Sequence, residues 1–359
     1  MKFIDVYLYS YFIMEPKKIK EWIKSKKDHR KQMDPKLLFN GIIKGDLNSL
    51  SLGITLIESY NQNQRKASDD LIQRCLPYSG NSIRIGITGV PGVGKSTFIE
   101  SFGMLLIERG FKVAVLAVDP SSSISGGSIL GDKTRMNKLS VQDKVFIRPS
   151  PSHQHLGGVA RKTRESILLC EAAGYDFILI ETVGVGQSET IVKSMVDFFL
   201  LLMLAGAGDE LQGIKKGIME MADALVINKA DGENINRARL AALEYKNALH
   251  LFPPNKNQWN PKVLTCSALE QLNISGVLDV IEDFRQHVVA NGHFQINRKN
   301  QDKNWLSETL KELIYNDFFL DDNMMNLLKN IEEKVMNGDM TSFQAADELY
   351  KVYINKKRV

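Results

Sequence analysis

A chain of 359 residues, 43% apolar and 25% charged, has the make-up of a soluble globular protein able to bury a full core. Its formal net charge of +4 is too small for wholesale nucleic-acid binding, which goes with a strongly basic face. The three cysteines, Cys75, Cys170 and Cys266, stand far apart, which argues against a disulfide framework or zinc site and fits a reducing compartment.

Taken in chain order, the apolar stretch Phe3–Met14 is interrupted by Asp5 and has no small-residue cleavage site, so it makes a poor signal peptide. Residues 15–80 read as polar and helical. Leu37, Leu38, Ile42 and Ile43 fall at helical spacing, and Leu52, Ile54, Leu56 and Ile57 follow after Gly45-Asp46. The basic run Lys17–Lys31 is read as a solvated helix face. From Ser82 short apolar runs alternate with helical segments, the pattern of a parallel sheet covered by helices. Strands are expected at 83–88, 113–118, 176–180, 198–204, 224–227 and 263–266. Helices are expected at 95–109, 159–173, 188–196, 234–249 and 275–290, with Gly110 and Gly174 as C-caps. The run Phe198–Leu204 is far shorter than the roughly 20 residues that span a bilayer. The chain is expected to be cytoplasmic, with neither membrane nor nucleic acid as a partner. After Gly292 come three polar helical segments near 302–316, 321–336 and 341–355.

The reading is an α/β fold with a mostly parallel central sheet flanked by helices, plus N- and C-terminal helical extensions, and the G-x-x-x-x-G-K-S run Gly89–Ser96 makes it a P-loop NTPase. Its expected divisions are 1–80, 81–291 and 292–359.

Gly89-Val90-Pro91-Gly92-Val93-Gly94-Lys95-Ser96 matches G-x-x-x-x-G-K-[ST] between a strand and a helix, the context a phosphate cradle needs. Gly89, Gly92, Val93 and Gly94 turn backbone N–H groups inward, and the helix start at Lys95, Ser96 and Thr97 adds its positive end. Lys95 is expected to reach the β- and γ-phosphates and Ser96 to ligate magnesium. Asp119 and Glu181 follow neighbouring strands, where this fold places metal ligands. Glu181-Thr182-Val183-Gly184 resembles the D-x-x-G switch of GTPases, whose glycine N–H contacts the γ-phosphate. Val185 stands where many small GTPases carry a water-positioning glutamine, so slow intrinsic hydrolysis is expected. The polar loop 119–135, with Asp132, is read as a switch, and a second polar loop, 206–217, with Lys215 and Lys216, also opens at the carboxyl edge of the sheet.

Asn228-Lys229-Ala230-Asp231 follows a strand and has the N-K-x-D form that reads guanine. The Asp231 carboxylate can accept from guanine N1–H and the 2-amino group, which adenine lacks, and such a site rejects the wrong base strongly. Ser267-Ala268-Leu269 follows the next strand, where a backbone N–H can meet guanine O6. GTP and GDP are therefore the expected ligands, with Mg2+.

These motifs, together with Ala117–Ser123, Leu130–Met136, Phe146–His155, Leu156–Glu165 and Glu181–Glu189, closely resemble the MeaB/ArgK GTPases over roughly residues 35–290. The resemblance implies a GTPase chaperone of the adenosylcobalamin-dependent methylmalonyl-CoA mutase, gating cofactor loading and protecting or reactivating that enzyme. By position it implies that Asp119, Asp132 and Glu181 surround the metal and γ-phosphate. It also implies that Lys215 or Lys216 approaches the nucleotide when the partner binds, and that C-terminal helices form a homodimer. The first 13 residues match nothing in the family, and Met14 is the expected native start. Two alternatives use other classes of partner. A kinase or ATPase of amino-acid transport is opposed by the guanine motif, and a nickel-delivery GTPase has only His153-x-His155 as a soft-ligand pair.

Overall fold

The computed structural model describes residues 33–59, 62–118, 136–149, 156–182, 188–206, 216–253 and 255–357. The readings of Phe3–Met14, Lys17–Lys31 and His153-x-His155 lie outside these residues.

Seven strands build one sheet: β1 (Ile83–Gly89), β2 (Val113–Val118), β3 (Val145–Arg148), β4 (Phe177–Thr182), β5 (Phe198–Leu204), β6 (Ala224–Asn228) and β7 (Lys262–Thr265). Their order is β3-β2-β4-β1-β5-β6-β7, and every neighbouring pair is parallel. A parallel sheet is covered on both faces, so its inner strands read as unbroken apolar runs. All seven residues of β1 are buried, as are Phe198–Met203 of β5, which places that apolar run in the core. Six strands stand where the sequence suggests. The exception is β3, whose four residues Val-Phe-Ile-Arg pair only with β2 at the sheet edge. So short an apolar run gives no period to read.

The helices are α1 (Pro35–Ile43), α2 (Leu47–Glu58), α3 (Gln62–Cys75), α4 (Lys95–Glu108), α5 (Asn137–Ser140), α6 (Leu156–Ala172), α7 (Ser188–Lys193), α8 (Lys216–Met221), α9 (Ile235–Leu249), α10 (Ile274–Ala290), α11 (His293–Phe319), α12 (Asp322–Met336) and α13 (Ser342–Lys357). Ile83, Ile85 and Ile87 pack with Phe98 and Phe102 of α4 and with Ile281 and Phe284 of α10. Leu201, Leu225 and Ile227 pack with Ala238, Ala241 and Tyr245 of α9.

Asp34 and Asp46 start α1 and α2 as N-caps; Asp34 accepts from the Lys36 N–H at 2.8 Å and Asp46 from the Ser49 N–H at 2.8 Å. Gly53 of α2 is a point of close approach. A Cβ there would stand 3.1–3.3 Å from Ile42, Leu169 and Leu71, side chains of α1, α6 and α3. The N-terminal helices therefore lie directly on α6. Polar ties reinforce that seat: Arg148 forks onto the Glu58 carboxylate at the end of α2, and Lys162 of α6 donates to the Glu58 carbonyl.

A buried ion pair joins β1 to α6. Arg84 Nε and Nη2 each donate to Glu171 at 2.9 Å, and Glu171 also accepts from the Gly80 N–H at 2.9 Å. The residues through Ile296 form one compact unit and those from Asn297 a second. The second has its own small core, built from Met324, Ile331, Ala345 and Leu349. Among the described residues no helix is long and apolar enough to cross a membrane.

Three outcomes follow from this packing. Glu171→Ala leaves the Arg84 guanidinium buried without its carboxylate and should lower unfolding free energy by about 3–5 kcal/mol. Lys311→Ala, which breaks an exposed pair with Glu308, should cost only about 0–1 kcal/mol in the same urea titration. All three thiols are buried, and burial pushes those of Cys75 and Cys266 up to about 12. An aromatic disulfide reagent at mildly alkaline pH should find no thiol in the native chain and all three in denaturant.

Candidate phosphate and base site

β1 ends in a turn that only glycine can make. Gly89 has φ +155°, and a Cβ on it would lie 2.4 Å from the Leu202 carbonyl. Gly94 has φ +92°, and its Cβ would meet Asn228 Nδ2 at 2.9 Å. Between them the fully buried Val93 fastens the loop into the core. Gly94 opens α4 without a side-chain cap, so no side chain competes with an anion for the first-turn N–H groups. Lys95 Nζ curls back to donate to the Gly89 carbonyl at 2.8 Å. Thr97, next along the helix, is exposed. Burial pulls the Lys95 ammonium below the usual lysine range, against the opposing pull of Glu181 and Glu189.

On the metal side the register puts Glu181 of β4 beside Ile87 of β1 and Ala117 of β2. Ser96 Oγ donates to Glu181 Oε1 at 3.3 Å, so the two oxygens that sequence reasoning assigned to one metal do converge. Both are hard donors, which suit magnesium rather than a soft metal. Among the described residues no group of three His, Cys, Asp or Glu side chains is gathered for a metal. Asp119, Asp132, Gly184 and Lys215 lie outside the described residues. The sequence reading passed over Glu189, 1% exposed in the first turn of α7, because an acid there reads as an ordinary helix start. It also passed over the hydroxyls of Thr88 and Thr182, which bond each other at 2.9 Å.

On the base side Asn228 is a strut. Its Nδ2 donates to the Val93 carbonyl at 2.8 Å, and its Oδ1 accepts from the Ala268 N–H at 3.1 Å. One buried side chain thus ties the phosphate loop of β1 to the base loop after β7. The Ala268 N–H, one of the backbone donors of the loop expected at guanine O6, is engaged by Asn228. Ser267, fully buried, donates to Asp231 Oδ2 and accepts from the Glu270 N–H at 3.1 Å, which fixes the Asp231 carboxylate in place. Lys229 takes the left-handed φ of +59°, and Asn234 Nδ2 holds its carbonyl at 2.7 Å. Leu269, 75% exposed, stands outside this cluster.

The geometry sets two expectations. Asn228→Ala leaves the Val93 carbonyl and the Ala268 N–H without their partner. It should lower stability by about 1–3 kcal/mol and weaken phosphate and base binding together, read by urea melts and nucleotide titration. The Lys95 shift has a definite sign. Between its lowered folded pKa and 10.5 the unfolded chain binds more protons, so the stability of the nucleotide-free protein should rise with pH across that window. Lys95→Met should flatten this rise and melt no lower than the parent near neutral pH, while losing most of the stabilisation by GDP. A variant that keeps the parental pH slope would contradict the assignment.

The description “Methylmalonyl Co-A mutase-associated GTPase MeaB” belongs to the family whose sequence pattern matches residues 50–323. The chain is 51% identical over 297 residues to the GTPase ArgK of Escherichia coli (strain K12), covering 83% of this chain and 90% of that protein. It is 43% identical over 343 residues to the Methylmalonic aciduria type A homolog, mitochondrial, of Mus musculus, covering 91% and 83%. A crystal structure named LAO/AO transport system kinase superposes with a TM-score of 0.71 at 39% identity, over 89% of this chain and 97% of that one. With a P-loop, a guanine-type base loop and a family match over most of its length, this chain belongs to the MeaB family of GTPases and is a GTP hydrolase.

Proposed function

We propose that the chain hydrolyses GTP slowly, with magnesium, and uses its nucleotide state to gate adenosylcobalamin loading and to protect or reactivate methylmalonyl-CoA mutase. The observation that supports the nucleotide part is the Asn228 strut, which ties the Gly89–Ser96 loop to the Ser267–Leu269 loop, whose Ser267 donates to the Asp231 carboxylate. The mutase part is supported by membership of a family described as mutase-associated and by likeness to a mouse protein named for methylmalonic aciduria.

In this reading the backbone N–H groups after Gly89 and the Lys95 ammonium neutralise phosphate charge, and Asp231, held by Ser267, selects guanine. Ser96 and Glu181, with Asp119, would hold magnesium, whose contribution when bound is charge neutralisation between the β- and γ-phosphates. Val185 in place of a water-positioning glutamine keeps intrinsic turnover low. Asp132, the N–H of Gly184, and Lys215 or Lys216 supply the switch contacts that a partner completes. A client can raise the rate only as far as it prefers the closed arrangement, and by reciprocity GTP and GDP must then differ in their effect on client affinity. A homodimer through the C-terminal helices is supported by Leu306, Leu310 and Ile314, which are 72%, 55% and 53% exposed at four-residue spacing along α11.

GTP and GDP should bind on the order of 10³-fold or more tighter than ATP, and Asp231→Asn should lose that preference and gain xanthine nucleotides. Equal affinity of the parent for ATP and GTP, by calorimetric titration, would favour the transport-kinase alternative. A purified adenosylcobalamin-dependent methylmalonyl-CoA mutase from the same organism should accelerate GTP turnover. Lys215→Ala or Lys216→Ala should abolish the acceleration while intrinsic turnover stays as in the parent. No acceleration and no nucleotide effect on complex formation would refute the chaperone role and leave the GTPase standing. Light scattering should give twice the chain mass in solution, reduced to one by Leu310→Glu.

A further inference from the structure

Strands β1 and β4 run side by side until they part at the edge where the site lies. Their backbone register ends at Ile87 opposite Glu181. β1 continues beside β5 as far as Gly89 opposite Leu202, and β4 continues beside β2 as far as Val118 opposite Thr182. At the step where the two backbones separate, side chains take over: Thr182 Oγ1 donates to Thr88 Oγ1 at 2.9 Å. Thr88 is 1% exposed and Thr182 is fully buried.

Strand alternation places this pair on the face under α7. A Cβ on Gly86, two residues before Thr88, would touch Val192 and Val196, whereas Ile83, Ile85 and Ile87 face α4 and α10. The Glu181 carboxylate points the other way and meets Ser96 of α4. The residue after Thr88 is Gly89, whose carbonyl holds Lys95 Nζ; the residue before Thr182 is Glu181. Three links, Lys95 to Gly89, Thr88 to Thr182 and Glu181 to Ser96, thus join the loop, both strands and the start of α4 in one ring.

Local preference argues for another residue at these positions. Valine fills the volume of threonine, favours strands equally and has no hydroxyl to strip of water. A buried hydroxyl pair that breaks this preference beside a reacting centre points to a geometric task. We propose that Thr88 and Thr182 are positioning residues whose hydroxyl bond sets the gap between the phosphate loop and Glu181. It brings the metal-side carboxylate into register with the bound phosphates. The inference rests on the GTPase site proposed above.

The test uses the full chain with Thr88→Val, Thr182→Val, the double variant and Thr182→Ser. Single-turnover GTP hydrolysis is followed across a magnesium titration. GDP affinity in EDTA and the melting temperature without nucleotide are measured alongside. Thr182→Val should lower maximal turnover by about tenfold or more, the scale produced by misplacing a catalytic group by a fraction of an ångström. It should also raise the half-saturating magnesium concentration, while GDP affinity in EDTA and the melting temperature stay close to the parent's. Thr182→Ser should restore both kinetic readouts, and the double variant should be no worse than the poorer single one. If Thr182→Val fails to fold, Thr88→Val reports on the same bond from β1. Parental turnover and magnesium dependence in the valine variants would overturn the proposal. So would a Thr182→Ser as impaired as Thr182→Val, or a turnover loss matched by lost GDP affinity in EDTA. A parent that does not bind GDP would overturn the site reading and this pair with it.

Discussion

Parallel pairing is the constraint on which this molecule depends. Parallel neighbours cannot be joined by a hairpin, so each strand must be followed by a crossover that returns the chain to the far end of the sheet. The carboxyl ends of all strands then face one edge, and the crevice opens where neighbouring connections leave in opposite directions. Here β1 stands between β4 and β5. The carboxyl ends of β1, β4 and β6 therefore lie along the same edge, although Gly89, Glu181 and Asn228 are far apart in sequence. No local preference assembles them; the strand order does.

That arrangement requires polar groups where the sheet is otherwise dry. Buried polar groups are tolerated when their partners are fixed, and here those partners join separate parts of the chain. Arg84 and Glu171 lock β1 to α6 from beneath. Asn228 locks the phosphate loop to the base loop from the side. Ser267 holds the Asp231 carboxylate, so the freedom of that side chain is already restricted. Lys95 shows the opposite sign. Its ammonium is partly stripped of water, and among the described residues the Gly89 carbonyl and the Glu181 and Glu189 carboxylates oppose that loss.

Much of this was legible in the residues. The glycines of the phosphate loop, the N-K-x-D run after a strand and the unbroken apolar strands each have a local physical cause, and six strands stand where they were expected. The readings that depend on distant partners were not legible. Strand β3 is four residues held at an edge by β2. Glu189 resembles any acid in a first helical turn until α7 is seated on β1 and β4. Thr88 and Thr182 are unremarkable strand residues until the register sets them opposite each other. Asn228 was read as part of the base reader, and its place between Val93 and Ala268 depends on two loops that approach only in the folded chain.

The sequence by itself determined six of the seven strands, where the glycine-rich loop turns, and that an N-K-x-D run of the guanine-reading type follows a strand. Those features rest on backbone freedom at glycine, apolar periodicity and hydrogen-bond inventory, all of which act within a few residues. Tertiary structure decided which buried polar groups share a partner: Ser96 with Glu181, Thr88 with Thr182, and Asn228 with both loops. The reason is physical. A hydrogen bond reaches about 3 Å, and only the parallel order of the strands brings residues some 100 positions apart within that reach.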